Sequence, residues 1–543
     1  MKYLIILILF INIICAQTPT DIVNQQIKDF EQKRIFEQQK DNQPQLNEKS
    51  FEKNIIKIDD DTIEENCINI ETIIIKDVTV FEDDYFENII KPYLKKCNGM
   101  KNLSNLRDKI TNRYINRGFI TSKAYLKAQD LSKNGLEIDV LEGKIEEIKT
   151  KGLNSSNLYI NYKDRVLNIK DLEVAIMQSE RLNSQELDLQ LLPASKIGYS
   201  IINIENLSTQ NPYYGNIGLN NFGTEYTGKY QIYSNLNYEN LFEISDILSL
   251  NLNSTDYALK TNNKTFGTSI NYSFPIEKLL FNLFYSYSNY KQINSDYFGN
   301  DFQSNGDNYS YGIELDYKVF HNLNNNFSFI INYEDRTTKN YLNEVKLDLQ
   351  SYTTNPFGFG YKHSYKSNSF DFYSKLLYHK GIGGKKEEFA NQEKYFEKAT
   401  LDFGFNKYFD TLNRLQYSLF LRGQYSKNNL FGTEEISVGG IYSVRGFNKT
   451  GLSGNKGFYA RNELSQRYDL NEFIFMPYIG FDYGFVDKNI YSMGGEITGG
   501  AIGSRVYWKK INFELLYNTP IKDTEDTKDK SSDFVGFNLV YNF

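Results

Sequence analysis

The chain has 543 residues, a formal net charge of -7 and a pI near 5.4, which argues against nucleic acid as its main partner. A mean hydropathy of -0.53 accompanies 43 Tyr and 39 Phe, a combination that a soluble enzyme rarely carries. A large transmembrane β-barrel accommodates both, because aromatic girdles face the lipid interfaces and polar residues line a wet interior.

Residues 1–16 read as a secretory signal: Lys2 gives the positive start, an apolar run follows, and Ala16 is a small residue suited to cleavage. No later segment has the ~18 consecutive apolar residues of a spanning helix, so any membrane span must be made of strands. Cleavage leaves two cysteines, Cys67 and Cys97, which in an exported chain suggest a structural disulfide. Their separation alone does not fix a pairing. Residues 20–40 read as a weakly amphipathic helix with apolar residues at Ile22, Val23, Ile27, Phe30, Ile35 and Phe36. A polar linker follows at 41–66.

From Cys67 the pattern changes. A strand is expected at 68–78, helices at 81–95 and 103–116, and strands at 119–128 and 135–141, so 67–143 reads as a small α+β domain. In this reading a Cys67–Cys97 pair would fasten the first strand to the end of the first helix. Residues 144–208 read as a second, shorter copy, with a helix at 169–181. After Asn211 the period becomes two. Val535, Phe537, Leu539, Tyr541 and Phe543 face one way, while Gly536, Asn538 and Asn542 face the other. In 414–422 the alternation is broken by Phe420. Backbone polar groups in lipid force such strands to close. Seventeen strand-like runs are visible after Asn216. Closure of an antiparallel bacterial barrel requires an even number, so 16 strands are expected across 209–543, with one run in 340–378 split in two.

One connection in this region is unusually long and carries five glycines, Gly439, Gly440, Gly446, Gly451 and Gly454, around Arg445. A structured loop of that length between strands is usually functional. Nothing points to catalysis: there are three His, no HExxH, no P-loop and no nucleophile elbow, and no cofactor or metal site is expected.

The tetrad Val444-Arg445-Gly446-Phe447, preceded by Gly439-Gly440 and followed by Leu452-Ser453-Gly454, resembles the loop motif of the Omp85 superfamily. The match is to its two-partner secretion branch, the TpsB outer-membrane transporters that export haemolysins and filamentous adhesins. The resemblance spans nearly the whole mature chain. It implies an all-β transmembrane barrel of 16 antiparallel strands, preceded by an N-terminal plug helix and two POTRA domains. It also implies that the loop 436–456 folds into the lumen, where Arg445 meets the Asp of an F-x-D-x-G motif on the wall. The corresponding residues are Phe481, Asp482 and Gly484, with Gly480 standing where the family has Phe. Glu463 is a further acid near the base of the loop. The implied partners are a secreted TpsA-like adhesin or haemolysin bound by the POTRA domains, outer-membrane lipid, and the barrel assembly machinery, to which terminal Phe543 is suited. A closed barrel calls for no partner strand, so a monomer is expected. An insertase of the same superfamily is the alternative. Those proteins usually carry more N-terminal modules and lack the plug helix.

Overall fold

The structure is a computed structural model that describes residues 55–58 and 66–543, apart from 154–155, 224–227, 256–262, 296–298, 323, 388–389, 411, 413, 449, 489–493, 526 and 528–530. The signal segment 1–16, the helix expected at 20–40 and most of the linker 41–66 lie outside the described residues.

The first periplasmic module folds around the helix Met100–Arg117, which buries Leu103, Leu106, Ile110 and Tyr114 and stops at Gly118 in the left-handed region, φ 102°. That face packs on a three-stranded sheet in which Thr72–Lys76 runs parallel to Gly135–Leu141, with Lys123–Tyr125 antiparallel on the other side. Where the module ends, Glu142 turns its carboxylate inward. It accepts from the Thr79 amide at 2.8 Å, the Val80 amide at 3.2 Å and the Tyr114 hydroxyl at 3.0 Å, and so ties the sheet, the 79–80 turn and the helix together. Burial, with the Glu142 charge beside it, pushes the Tyr114 hydroxyl well above its ordinary pKa.

The structure corrects the expected position of Cys97. The helix here is only Glu87–Ile90 with a 3-10 turn Lys91–Tyr93, because Pro92 sits in that turn and Lys95 takes a positive φ of 56°. The chain then forms a short strand, Lys96–Asn98, that pairs antiparallel with Ile68–Ile70 and sets Asn69 opposite Cys97. Cys67 and Cys97 are joined in a disulfide, with Cα atoms 5.1 Å apart, so the bridge closes a strand pair and not a strand–helix corner.

The second module repeats the plan. Its helix Ile169–Ser179 is capped by Asn168, whose side chain accepts from the Lys170 amide at 3.0 Å. The sheet has Lys144–Lys151 parallel to Tyr199–Asn206 and Leu187–Pro193 antiparallel to the latter. This module is seated on the barrel rim. Asn157 donates to the Ile244 carbonyl at 2.9 Å and the Pro275 carbonyl at 2.6 Å, bridging two hairpin turns. Arg181 reaches Ser273 at 2.8 Å and the Ser245 carbonyl at 2.9 Å, and Glu239 accepts the amides of Asn183 and Ser184 at 2.9 and 2.8 Å.

The barrel sheet consists of eighteen segments in a closed ring. Two of them, Val345–Lys346 and Tyr468–Leu470, are short hairpin returns beside strands that also pair with their next neighbours directly, which leaves sixteen antiparallel strands. Val345–Lys346 falls in the stretch where an extra run was expected. Closure joins Tyr213–Asn220 to Phe534–Asn542 in five register pairs, Asn538 opposite Asn220 through Asn542 opposite Asn216. Beyond them the Asn221 side chain continues the seam, donating to the Val535 carbonyl at 2.9 Å and accepting the Phe537 amide at 2.8 Å. Outward positions are apolar, as with Phe513, Leu515 and Tyr517, and the alternate positions Glu514, Leu516 and Asn518 turn inward. Phe420 departs from that rule because it faces inward, 9% exposed, directly across from Gly404.

Removing the bridge by Cys67→Ser should destabilise the first module by about 3 to 4 kcal/mol, from the chain entropy of a loop of this length. The full-length protein should show this as a lowered urea midpoint for proteolysis of the periplasmic modules, with heat-modifiable mobility of the barrel unchanged.

Candidate functional site: a loop latched in the barrel lumen

Residues 427–456 connect the strands Leu415–Ser426 and Gly457–Gln466 at the barrel end away from the periplasmic modules. Short strands Ile436–Val438 and Leu452–Gly454 pair with each other and turn the connection into a hairpin. Its apolar side chains Val438, Val444, Phe447 and Leu452 bury against Tyr459, Val486 and Ile497 of the barrel wall. A hydrophobic cluster therefore forms inside a ring whose other inward positions are largely polar. At about 25 cal/mol per Å² of apolar surface, this burial opposes release of the loop to solvent.

Arg445 stands at the tip and is 1% exposed. Its Nε donates to Asp482 Oδ2 at 2.6 Å and its Nη2 to Asp482 Oδ1 at 2.8 Å, a bidentate pair. The Arg445 amide adds a third bond to Asp482 Oδ2 at 3.1 Å. Nη2 also donates to the Asn462 carbonyl at 2.8 Å, and Nη1 to Glu463 Oε2 at 3.4 Å. Asp482 is fully buried on Phe473–Val486 and also accepts the Asn462 amide at 3.2 Å. A planar five-donor fork suits this arrangement, whereas the single ammonium of a lysine would serve only part of it.

The glycines explain the fit. A Cβ on Gly480 would stand 2.0 Å from Arg445 Nη2, so in this chain, where the family motif has Phe, the guanidinium occupies the space a side chain would take. Gly484 makes room for Val438 and Val444, whose methyls lie 2.1 and 2.8 Å from where its Cβ would be. Gly446 turns the tip with φ 96° and passes against the backbone of Thr519 and Pro520. Val444 and Phe447 of the tetrad are fully buried on either side.

Phe481 has a different place. Strand alternation sends Gly480, Asp482 and Gly484 into the lumen and turns Phe481 outward, 55% exposed, so it takes no part in the Arg445 seat. Glu463, the weaker candidate in the sequence, belongs to the site: it accepts Arg505 Nη1 at 2.5 Å and Nη2 at 3.0 Å as well as Arg445. Sequence reasoning missed three neighbours. Arg505 links Glu463 to Glu514 at 3.0 Å and lies 4.2 Å from the centroid of the Tyr478 ring. Arg461 donates to the Ile441 carbonyl in the loop at 2.9 Å. Their signal was inward strand positions carrying charge, which becomes meaningful only when the register of four strands is known.

Among the described residues no cluster of His, Cys, Asp and Glu is arranged to hold a metal ion. The lumen site is an electrostatic and steric fastening.

Comparison with known proteins places this geometry. The family described as haemolysin secretion/activation protein ShlB/FhaC/HecB matches residues 198–506, a ShlB-type POTRA domain matches 68–143, and a further POTRA domain matches 144–193. The outer membrane transporter CdiB of Dickeya dadantii is 29% identical over 79% of this chain and 78% of its own length. The hemolysin transporter protein HpmB of Proteus mirabilis is 27% identical over 88% of each chain. The solved structure of CdiB from Escherichia coli superposes with a TM-score of 0.83 at 23% identity, covering 97% of this chain and 99% of that one. With more than half of its length matched by the family and the barrel, POTRA modules and lumen loop all in place, the chain belongs to the ShlB/FhaC/HecB family of two-partner secretion transporters.

Proposed function

We propose that the protein captures an unfolded exported polypeptide with its two POTRA domains and passes it outward through the barrel, with no nucleotide hydrolysis at any step. The protein is a two-partner secretion outer-membrane transporter, its barrel in the outer membrane and its POTRA domains in the periplasm, and its family is one of transporters. The exported partner is a TpsA-like adhesin or haemolysin, an extended chain able to add to the exposed sheet edges of the modules. Folding outside the cell would supply direction.

The observation that carries this reading is the lumen loop. It occupies part of the lumen, where polar contacts and a modest apolar cluster hold it against the wall. A loop held in that way can leave the lumen and return. Seating of the second module on the rim through Asn157 and Arg181 sets the capture surface directly below the lumen. An insertase of the same superfamily usually carries more N-terminal modules than the two POTRA domains matched here.

Arg445→Glu puts two carboxylates, Asp482 and Glu463, against a third. Extracellular polypeptides whose appearance depends on this protein should fall by about tenfold or more, while barrel insertion, read by heat-modifiable mobility, stays intact. Normal export by this variant would remove the loop from the mechanism. Asp482→Asn keeps the shape and leaves the buried guanidinium with only the more distant Glu463 as counter-charge, a loss of about 3 kcal/mol. Externally added protease should then cleave the 436–456 segment in whole cells faster than in the wild type.

A further inference from the structure

The loop has a second polar anchor, on a different sector of the wall. Glu434 lies in a single 3-10 turn, Gly432–Glu434, between the strand Leu415–Ser426 and the hairpin, and is 1% exposed. Its carboxylate accepts Lys398 Nζ at 2.7 Å and Thr354 Oγ1 at 2.8 Å, and Arg336 Nη1 lies 3.4 Å away. These three residues come from Glu397–Tyr408, Tyr352–Lys366 and Asn325–Leu342, whereas the Arg445 tip is held by Gly457–Gln466 and Phe473–Val486.

The wall grips the backbone of this stem as well as its carboxylate. Lys398 and Gln424 each donate to the Glu434 carbonyl at 2.9 Å, and Arg336 donates to the Thr433 carbonyl at 3.2 Å. The Thr433 amide donates to the Tyr352 hydroxyl at 3.2 Å, and the Tyr352 ring stacks on Phe431 with centroids 4.3 Å apart.

The two anchors differ in what release would leave behind. At the tip the loop contributes the cation. When Arg445 withdraws, Glu463 keeps both bonds from Arg505 and Asp482 keeps the Asn462 amide, so the acids on the wall remain partnered. At the stem the loop contributes the anion: withdrawing it would leave Arg336 with Glu334 but would take from Lys398 its bonds to the Glu434 carboxylate and carbonyl, and from Thr354 and Gln424 one bond each. Separating a buried, hydrogen-bonded ion pair costs more than loosening one whose remaining partner is still satisfied.

We propose that Glu434 is the positioning residue of the loop's fixed end: the stem stays clamped to Lys398, Thr354 and Arg336 while the Arg445 tip swings out of the lumen and returns. This rests on the reading that the loop must move for export. The loop then behaves as a hinged flap, with the register of its return set by a buried carboxylate far from the VRGF tetrad.

The test uses the full-length protein with Glu434→Gln, Lys398→Glu, and the reversal pair E434K/K398E, beside Arg445→Glu. Heat-modifiable mobility first establishes that each barrel is assembled. Conductance in planar bilayers bathed in potassium chloride, and release of the extracellular polypeptides that depend on this protein, are then compared. With the stem as hinge, E434Q and K398E should lower release by about tenfold and make large openings about tenfold more frequent, and the reversal pair should recover most of both. Release at or above the wild-type level in E434Q would overturn the hinge, since an anchor that opens during transport should be helped by weakening. A barrel that fails to assemble in E434Q but assembles in the reversal pair, with both readouts restored, still supports it. Failure of the assembled pair to recover either readout overturns it. If Arg445→Glu exports normally, the gating reading fails and the hinge with it. If Arg445→Glu blocks export and E434Q does not, the hinge fails alone.

Discussion

Lipid will not hydrogen-bond a peptide group, and the rest of this molecule depends on that constraint. Every strand in the membrane must have two partners, so the sheet must close, and here the first strand meets the last in five register pairs extended by the Asn221 side chain. Closure creates an interior. The same alternation that gives lipid its apolar face lines that interior with polar groups. An open ring of this size would pass water and ions, and the 427–456 connection folds inward to fill part of the space.

Filling a polar lumen with protein raises a second problem, which the charges answer. A loop stabilised by apolar burial alone would have little to specify where it sits on a curved wall. Asp482 provides direction: its two oxygens accept from the Arg445 side chain and backbone, and the oxygen toward Asn462 takes a strand amide. Glu463 then connects this pair to Arg505, and Arg505 to Glu514, so the site is a short chain of alternating charges and not an isolated bridge. Such networks define geometry more reliably than they add net stability.

Much of this was legible in the sequence, for a physical reason. Period-two alternation is imposed on each strand by its surroundings and needs no partner to be read, which is why the terminal run Val535 to Phe543 announced a barrel. The two periplasmic modules were visible because helices such as Met100–Arg117 carry their own core face and stop signal. Resemblance to a known family, and not the glycines themselves, pointed Arg445 toward Asp482. What stayed hidden depended on register between distant strands. Glu434 sits in a plain polar stretch and acquires its role only when Thr354, Lys398 and Arg336 are brought beside it. Cys97 was assigned to a helix end because the turn made by Pro92 and the positive φ of Lys95 has a weak local signal.

The strand Phe473–Val486 faces two solvents with different tolerances. On its outer side Phe481 meets lipid, a medium indifferent to which apolar side chain it touches. On its inner side Gly480 leaves a vacancy the size of one methyl group, and that vacancy is occupied by a guanidinium. One strand therefore meets two unlike demands: apolar surface of no particular shape outside, and a position left without a side chain beside Asp482 inside.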